Sequence, residues 1–313
     1  MVKSCPSIAM LGCGAWGKNL IRNLYKLNIL KYIYDPDKSK TKSIIKKYHI
    51  KYANIKEILN DKSIKSIIIA TPIDTHYELS KIILKKKKNI FVEKPLTSDL
   101  RKAYELKYIS KKNKTIIMVG HILNYHTGFI KIKKIMNSIC LNNIHIFSNR
   151  MSNSYENENN KYIILWDYAP HDISIILNII KNKILLKVYA YKKIIKNKIY
   201  TSIKLIFENN ILSNINLSYT NSNKIQNLKI KSKDNKILIL DDTLSWNKKL
   251  QLNKKYILFK KKEPLLNECI YFIYCINNRK TPISDSNESI KIIKIIQIII
   301  RSIKEKKLLT FNK

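Results

Sequence analysis

Ser7-Ile8-Ala9-Met10-Leu11-Gly12-Cys13-Gly14-Ala15-Trp16-Gly17 is the stretch that decides the fold. It sets a short apolar run against a glycine cluster, and an amphipathic helical pattern from Ala15 to Leu27 follows at once. The chain has 313 residues and only five glycines, three of them in this cluster. A lone G-x-G-x-x-G is a weak signal in a glycine-rich protein, but chance clustering is improbable against so thin a background. Each glycine answers a physical need. Gly12 permits a tight turn, Gly14 lets the backbone approach a pyrophosphate, and Gly17 allows close packing of helix on strand. Ala15 and Trp16 open the helix, whose N-terminus offers free N–H groups and a positive dipole end to an anion. Asp35 closes the second apolar run, 18 residues after Gly17. A carboxylate there accepts hydrogen bonds from a ribose diol and repels a 2′-phosphate, which favours NAD over NADP. The bland alternative is an ordinary strand-to-helix turn, with Asp35 capping a loop before Pro36.

Outward from this stretch, the first 120 residues alternate short apolar runs with longer amphipathic ones. The runs at Ser7 to Leu11, Tyr32 to Tyr34, Ser66 to Ala70, Ile90 to Val92 and Ile116 to Val119 suit strands buried on both faces. Helical patterns lie near Ala15 to Leu27, Lys38 to Tyr48, His76 to Lys87 and Asp99 to Lys111. This order predicts an N-terminal Rossmann domain over residues 1–122, with a doubly wound parallel sheet. From about Ile144 the pattern changes. One helix near Asp167 to Ile180 precedes alternating stretches at Leu185 to Lys192, Tyr200 to Phe207, Ile211 to Tyr219, Ile225 to Ser232 and Lys236 to Leu240. Two helical segments, Leu265 to Asn277 and Asn287 to Lys304, close the chain. Residues 123–313 are therefore expected to form a C-terminal α+β domain with a large open, mainly antiparallel sheet, serving substrate binding and oligomer contacts.

The composition invites a different reading. There are 60 Lys and Arg against 22 Asp and Glu, a formal charge of +38, which taken alone suggests a nucleic-acid binder. Yet 55 of the basic residues are Lys and 5 are Arg, beside 60 Ile, 34 Asn and 19 Tyr, whereas Gly, Ala and Pro number 5, 7 and 7. That is the profile of an AT-rich coding sequence that has drifted. A protein built to grip phosphate would use Arg as well, whose planar fork matches phosphate oxygens. The lysines are diffuse, so no specific nucleic-acid partner is expected. At 45% hydrophobic the chain can bury a real core. Its most apolar stretch, Ile292 to Ile300, is broken by Lys294 and Gln297 and falls short of the ~20 residues that cross a bilayer. With no secretory pattern at the N-terminus, a cytoplasmic location without membrane attachment is expected. The cysteines Cys5, Cys13, Cys140, Cys269 and Cys275 are odd in number and scattered, supporting neither disulfides nor a metal site.

Two further motifs carry chemistry. The strand ending at Val92 leads into Glu93-Lys94-Pro95, which a parallel sheet would place on the same edge as the glycine loop. Pro95 biases Lys94 away from helical geometry. A lysine in a largely desolvated cleft can polarise a substrate oxygen or give up a proton; a solvated lysine at a strand end is the competing reading. Asp167-Tyr168-Ala169-Pro170-His171-Asp172 starts the expected second-half helix. Spacing i, i+4 would stack Asp167 and His171 on one face, so that the carboxylate orients the imidazole as a general base. Alternatively, Asp167 caps the helix and His171 is a packed, satisfied histidine.

Together these elements resemble the Gfo/Idh/MocA family of NAD(P)-dependent oxidoreductases. The match runs in order: the glycine fingerprint, Ala70-Thr71-Pro72 with His76, the Glu93-Lys94-Pro95 triplet, and Asp167 with His171. The all-β run and terminal helices suit the family's second domain. The resemblance implies that Lys94 holds the reacting hydroxyl near the nicotinamide while His171, supported by Asp167, removes its proton. It places Thr71, Pro72, His76, Glu93 and Lys94 beside Gly12, Gly14, Ala15, Trp16, Gly17 and Asp35 in the NAD site. The stretches Val119-Gly120-His121, Tyr125-His126 and Leu165 to Asp172 look most like the nucleotide-sugar branch, of the UDP-N-acetylglucosaminuronate 3-dehydrogenase type. That makes His121, Tyr125, His126 and Asp172 substrate candidates. Asn149 and Arg150, on a predicted second-domain strand, could meet a substrate carboxylate or phosphate, or pair structurally with Glu156 or Glu158. The expected reaction is hydride transfer from a secondary alcohol of a sugar, such as a UDP-N-acetyl sugar or its uronate used for surface polysaccharide, in a metal-free homo-oligomer. The competitors are a dehydrogenase of a free sugar or polyol such as inositol, and a non-catalytic NAD-binding protein of the same fold.

Overall fold

A computed structural model describes residues 7–139, 141–152, 162–181, 183–196, 198–219 and 224–311. Cys5, Cys140, Glu156 and Glu158 lie outside the described residues. In chain order the elements are β1 (Ser7–Leu11), α1 (Ala15–Lys26), β2 (Leu30–Tyr34), α2 (Lys38–Tyr48), β3 (Lys51–Tyr52) and α3 (Ile55–Asn60). They continue as β4 (Ile64–Ile69), α4 (Ile73–Lys85), β5 (Asn89–Glu93), α5 (Leu100–Asn113), β6 (Ile117–Gly120), α6 (Thr127–Met136) and β7 (His145–Ser152). Next come α7 (Ile163–Asp167), α8 (Ala169–Ile179), β8 (Leu185–Ile195), β9 (Lys198–Phe207), β10 (Ile211–Tyr219), β11 (Ile225–Lys231) and β12 (Ile237–Asp241). The last are β13 (Leu250–Leu252), β14 (Lys255–Tyr256), α9 (Pro264–Asn278), α10 (Ser286–Glu305) and β15 (Leu309–Thr310). The residues group into two units: 1–122 with 263–293, and 123–262 with 294–313.

In the first unit the sheet order is β3-β2-β1-β4-β5-β6, with every pairing parallel. Ile8, Ala9, Met10, Ile67, Ile68, Phe91 and Val92 have no exposed surface, as expected of a sheet covered on both sides by helices. The strand order reverses between β1 and β4, so the carboxyl ends of those strands flank the crevice where open α/β sheets bind ligands. A continuous second domain from residue 123 is not what forms, because Glu263–Ile293 returns to this unit. Glu263 meets Arg22 and Asn23 of α1, and the Phe272 ring of α9 lies 5.7 Å from that of Phe91.

The second unit holds the sheet β14-β13-β12-β11-β7-β10-β9-β8-β15. Its pairings are antiparallel except β7 with β10, which run parallel in continuous register from His145↔Leu212 to Ser152↔Tyr219. Strict alternation in β9 and β10 buries Thr201, Ile203, Leu205, Phe207, Ile211, Ser213, Ile215 and Leu217 on one face. The helix expected from Asp167 to Ile180 is two helices that break at Tyr168. Pro170 has no N–H to continue the ladder of α7 and is favoured in the first turn of α8, so the chain restarts there. Asp167 is the last residue of α7, and His171 lies in the first turn of α8. Among the described residues no helix is long and apolar enough to cross a membrane.

Candidate active site

The carboxyl edge of the six-stranded sheet collects the glycine loop after β1, Asp35 after β2, Ala70 and Thr71 after β4, Glu93 and Lys94 at the end of β5, and His121 after β6. The glycines divide their tasks by geometry. Gly12 has φ +97°, and a Cβ there would sit 2.2 Å from the Ala70 carbonyl oxygen, so strain and clash both demand glycine. A Cβ on Gly17 would lie 2.1 Å from the Gly12 carbonyl oxygen. Around Gly14 a Cβ would meet nothing within 4 Å. Gly14 is the N-cap of α1 without a side-chain cap, and no acidic residue lies in the first turn. The result is an uncapped, unblocked helix N-terminus with open space in front of it, which fits a pyrophosphate.

Asp35, 5% exposed, accepts the Cys13 N–H at 2.8 Å and the Asp37 N–H at 3.0 Å. It thereby ties the glycine loop to the end of β2. Burial, then the Asp35 charge, pushes the Cys13 thiol up to about 12, which leaves it an inert packing group. His76 is buried, and its ring nitrogens face the Pro95 carbonyl at 2.9 Å and the Thr71 carbonyl at 2.8 Å. It straps the loop after β4 to the loop after β5, where the Lys94–Pro95 bond is cis. Thr71 Oγ1 and Thr75 Oγ1 are 2.6 Å apart, and Pro72 is the N-cap of α4.

Trp16 is 41% exposed, and its indole N–H donates to Glu93 Oε1 at 2.6 Å, linking the glycine loop to the strand end that carries Lys94. Desolvation raises Glu93 to about 7 against the opposing pull of the Trp16 N–H and the Lys94 charge. A Cβ on Gly120 would come within 2.9 Å of Glu93 Oε2, so the neighbouring strand is flat where that carboxylate rests. His121 is buried, and burial together with Lys94 lowers its imidazole to about 3, so it stays neutral. A depression of about 660 Å³ lined by Lys65, Lys114 and Arg279 lies at the amino ends of β4–β6, the opposite edge from this chemistry.

In the second unit Asp167 accepts the Tyr219 hydroxyl from β10 at 3.0 Å, and the Tyr168 and Tyr219 rings are 5.2 Å apart. His171 is half-buried on the first turn of α8. Asp172 is 3% exposed and receives Arg150 Nε at 3.0 Å, Arg150 Nη2 at 3.2 Å and the Ser148 hydroxyl at 2.6 Å. The guanidinium also sits 5.7 Å from the Tyr168 ring. Arg150 is thus held by Asp172, and both candidates are bound into one buried pair. Asn149 points to the other face of the sheet, where its amide donates to Asn227 and accepts from Asn216, each at 2.9 Å. His126 is 3% exposed, caps α6 by accepting the Gly128 N–H, and lies 3.3 Å from Asp242 within 6.0 Å of the Phe129, Trp246 and Phe259 rings. Tyr125 is 4% exposed.

Sequence reasoning missed Tyr219, Ser148 and Glu268. Tyr219 and Ser148 reach their partners only through the β7–β10 register. Glu268 left a signal: an acid on the apolar stripe Leu265, Cys269, Phe272 and Cys275 of α9.

Residues 7–121 match the family model for the Gfo/Idh/MocA oxidoreductase family, NAD-binding Rossmann fold. Over these residues the first unit is similar to the NAD-binding Rossmann domain of that family. An uncharacterized oxidoreductase of Streptococcus pneumoniae is 26% identical over 152 residues, 48% of this chain and 41% of that protein. The scyllo-inositol 2-dehydrogenase (NADP(+)) of Bacillus subtilis is 28% identical over 108 residues, 34% of this chain and 28% of that protein. Such matches span about two fifths or less of the curated relatives' lengths. Among solved structures, a UDP-N-acetylglucosamine 3-dehydrogenase from Acidithiobacillus ferrooxidans superposes with TM-score 0.85 at 14% identity, covering 96% of this chain and 98% of that one. A protein of gentamicin A biosynthesis in complex with NAD gives TM-score 0.84 at 12% identity, covering 100% and 98%. Both show the fold.

Proposed function

We propose that the whole chain is an NAD-dependent dehydrogenase acting on a secondary alcohol of a sugar, specifically a nucleotide sugar. The observation that carries the reading is the placing of Lys94 at the end of β5, on the same sheet edge as the glycine loop and Asp35. Gly14, the N-terminus of α1 and Asp35 would hold the dinucleotide, and the free carboxylate lone pairs of Asp35 favour an unphosphorylated ribose. NAD when bound supplies the hydride acceptor. In this reading Lys94 orients the substrate hydroxyl and stabilises developing negative charge on its oxygen. His171 takes the hydroxyl proton, and Asp167, fixed by the Tyr219 hydroxyl, supports that exchange. Trp16 and Glu93 hold the Lys94 strand end against the cofactor loop. The nucleotide-sugar assignment rests on residue likeness and on the 3-dehydrogenase neighbour; an inositol-type polyol is the second reading, favoured by the B. subtilis relative. The face of the nine-stranded sheet that carries the Asn227–Asn149–Asn216 ladder suits contact with a second copy of the chain.

The test is to purify the protein, assay it for co-purified NAD(H), and follow NADH absorbance with UDP-N-acetyl sugars, their uronates and free polyols. Reduction with a UDP sugar supports the first reading. Reduction with polyols alone transfers it to the second, and NAD binding without reduction by any of them overturns the catalytic reading.

A further inference from the structure

Glu268 is 1% exposed, and neither carboxylate oxygen meets a hydrogen-bond partner. The His121 N–H is near enough to act on it, yet that hydrogen is committed to the Val119 carbonyl at 2.8 Å. The residue sits on the buried face of α9 with the apolar Leu265, Cys269 and Phe272. Phe272, one turn on from Glu268, packs 5.7 Å from Phe91, two residues before Glu93 on β5, so α9 turns Glu268 toward the strand that ends in Glu93, the carboxylate that accepts the Trp16 N–H and precedes Lys94. A buried carboxylate beside a second, partly buried one is disfavoured in its charged form, by desolvation and by the like charge. The Lys94 charge favours the ionised form of Glu93.

We propose that Glu268 carries a proton at neutral pH and acts as the neutral partner of Glu93, a positioning residue for the strand end that presents Lys94. This inference rests on the reading of Lys94 as the substrate-orienting group. A neutral Glu268 leaves the negative charge of the cluster on Glu93 alone, where the Trp16 indole and Lys94 bear on it. Its removal at alkaline pH places a second buried charge behind Glu93, and the cluster relieves that charge by letting the Trp16–Glu93 link and the Lys94 strand end shift. Burial first and the Glu93 charge second hold Glu268 well above the ordinary carboxyl range, in keeping with this arrangement. The remaining groups around the pair are Lys94 at the end of β5, His121 after β6, and Cys269 and Glu263 on or beside α9. His121 is neutral at any working pH, and Cys269 is pushed up by burial and by the same two glutamates.

The pair is tested without any sugar by infrared difference spectroscopy on the full chain. A protonated-carboxyl C=O band should remain at alkaline pH after Glu93 has ionised, and that remaining band should be absent in Glu268→Gln. If the wild-type protein shows no such band at neutral pH, the proposal is overturned, whatever happens to the variants. The second measurement is NADH affinity against pH. Glu268→Ala should weaken it about tenfold at neutral pH, with Glu268→Gln, which mimics the protonated acid, restoring most of that loss and abolishing the alkaline fall seen in the wild type. Equal damage from Gln and Ala, or an alkaline limb that survives in Glu268→Gln, would refute the neutral-acid role. The two readings fail separately. A protein with the band but no sugar turnover sinks the dehydrogenase assignment, whereas turnover without the band sinks the Glu268 assignment.

Discussion

The carboxyl edge of the six-stranded sheet and the helix-covered face of the nine-stranded sheet hold their polar groups by different means. On the first, the working parts are backbone: the Gly12 turn, the bare N-terminus of α1, and strand ends that aim Asp35 and Lys94. On the second they are buried side chains from distant segments, Arg150 and Ser148 of β7 on Asp172 of α8, and Tyr219 of β10 on Asp167 of α7. Backbone geometry is specified within a few residues, whereas a side-chain cluster is specified by register across the sheet. A change in the first region should therefore act on binding or rate, and a change in the second on folding as well.

The widest separation is expected between chemistry and stability. Lys94→Ala or His171→Ala should lower turnover by about 10²- to 10⁴-fold while NADH affinity in a fluorescence titration and the unfolding midpoint stay near wild type. Full turnover in either variant removes that residue from the mechanism. Asp172→Ala should do the reverse kind of damage. It leaves Arg150, whose side chain is 12% exposed, as an uncompensated buried cation, and should destabilise the protein by about 3 kcal/mol in urea titration. An unchanged midpoint would mean that the pair is hydrated and that the contrast between the two regions fails.

A smaller effect separates the glycines from one another. Gly14→Ala adds a methyl group where nothing lies within 4 Å, so thermal stability should hold. NADH affinity should fall by about tenfold if the pyrophosphate occupies that space. Gly12→Ala meets a carbonyl at 2.2 Å with φ +97° and should lose stability and binding together. If Gly14→Ala binds NADH as tightly as wild type, the space before α1 is not the phosphate site.

The same contrast explains what could be read in advance. The parallel sheet was legible because β1, β4 and β5 are uninterrupted branched runs and because three of five glycines fall within Gly12 to Gly17. The broad second sheet was legible from the alternation in β9 and β10. The parallel pairing of β7 with β10 was not, since alternation reports which face a residue takes but not which strand lies beside it. The helix expected to start at Asp167 starts instead at Ala169, with Pro170 in its first turn, a breaker visible in the sequence but outweighed there by the apolar pattern around it. Arg150 and Asp172 were each singled out for substrate; their pairing with one another depends on β7 crossing under α8, which no local pattern encodes. Glu268 was passed over because one acid in an apolar stripe looks like noise until its neighbours are known.

The smallest effect concerns pH, and here the two units should diverge in sign. In the first unit Glu93 is raised from 4.5 to about 7, by desolvation above all, and burial with the Glu93 charge holds Glu268 well above the ordinary carboxyl range. A carboxyl whose folded-state value is raised binds its proton more tightly in the native chain. Its contribution is fully present below the unfolded value near 4.5 and is lost as pH climbs through about 7 and beyond. In the second unit Asp242 is lowered from 3.8 to about 2: burial opposes its charge, but His126 and Lys249 override burial. Its contribution is present above 3.8 and is lost as pH falls toward about 2. Calorimetric scans from acid to mildly alkaline pH should therefore show an acid limb that Asp242→Asn removes and an alkaline limb that Glu268→Gln flattens, each a shift of a few degrees. An alkaline limb untouched by Glu268→Gln would mean that the cost of charging the first unit falls on another group. The contrast between an edge that tolerates no added charge and a face that depends on its charges would then have to be abandoned.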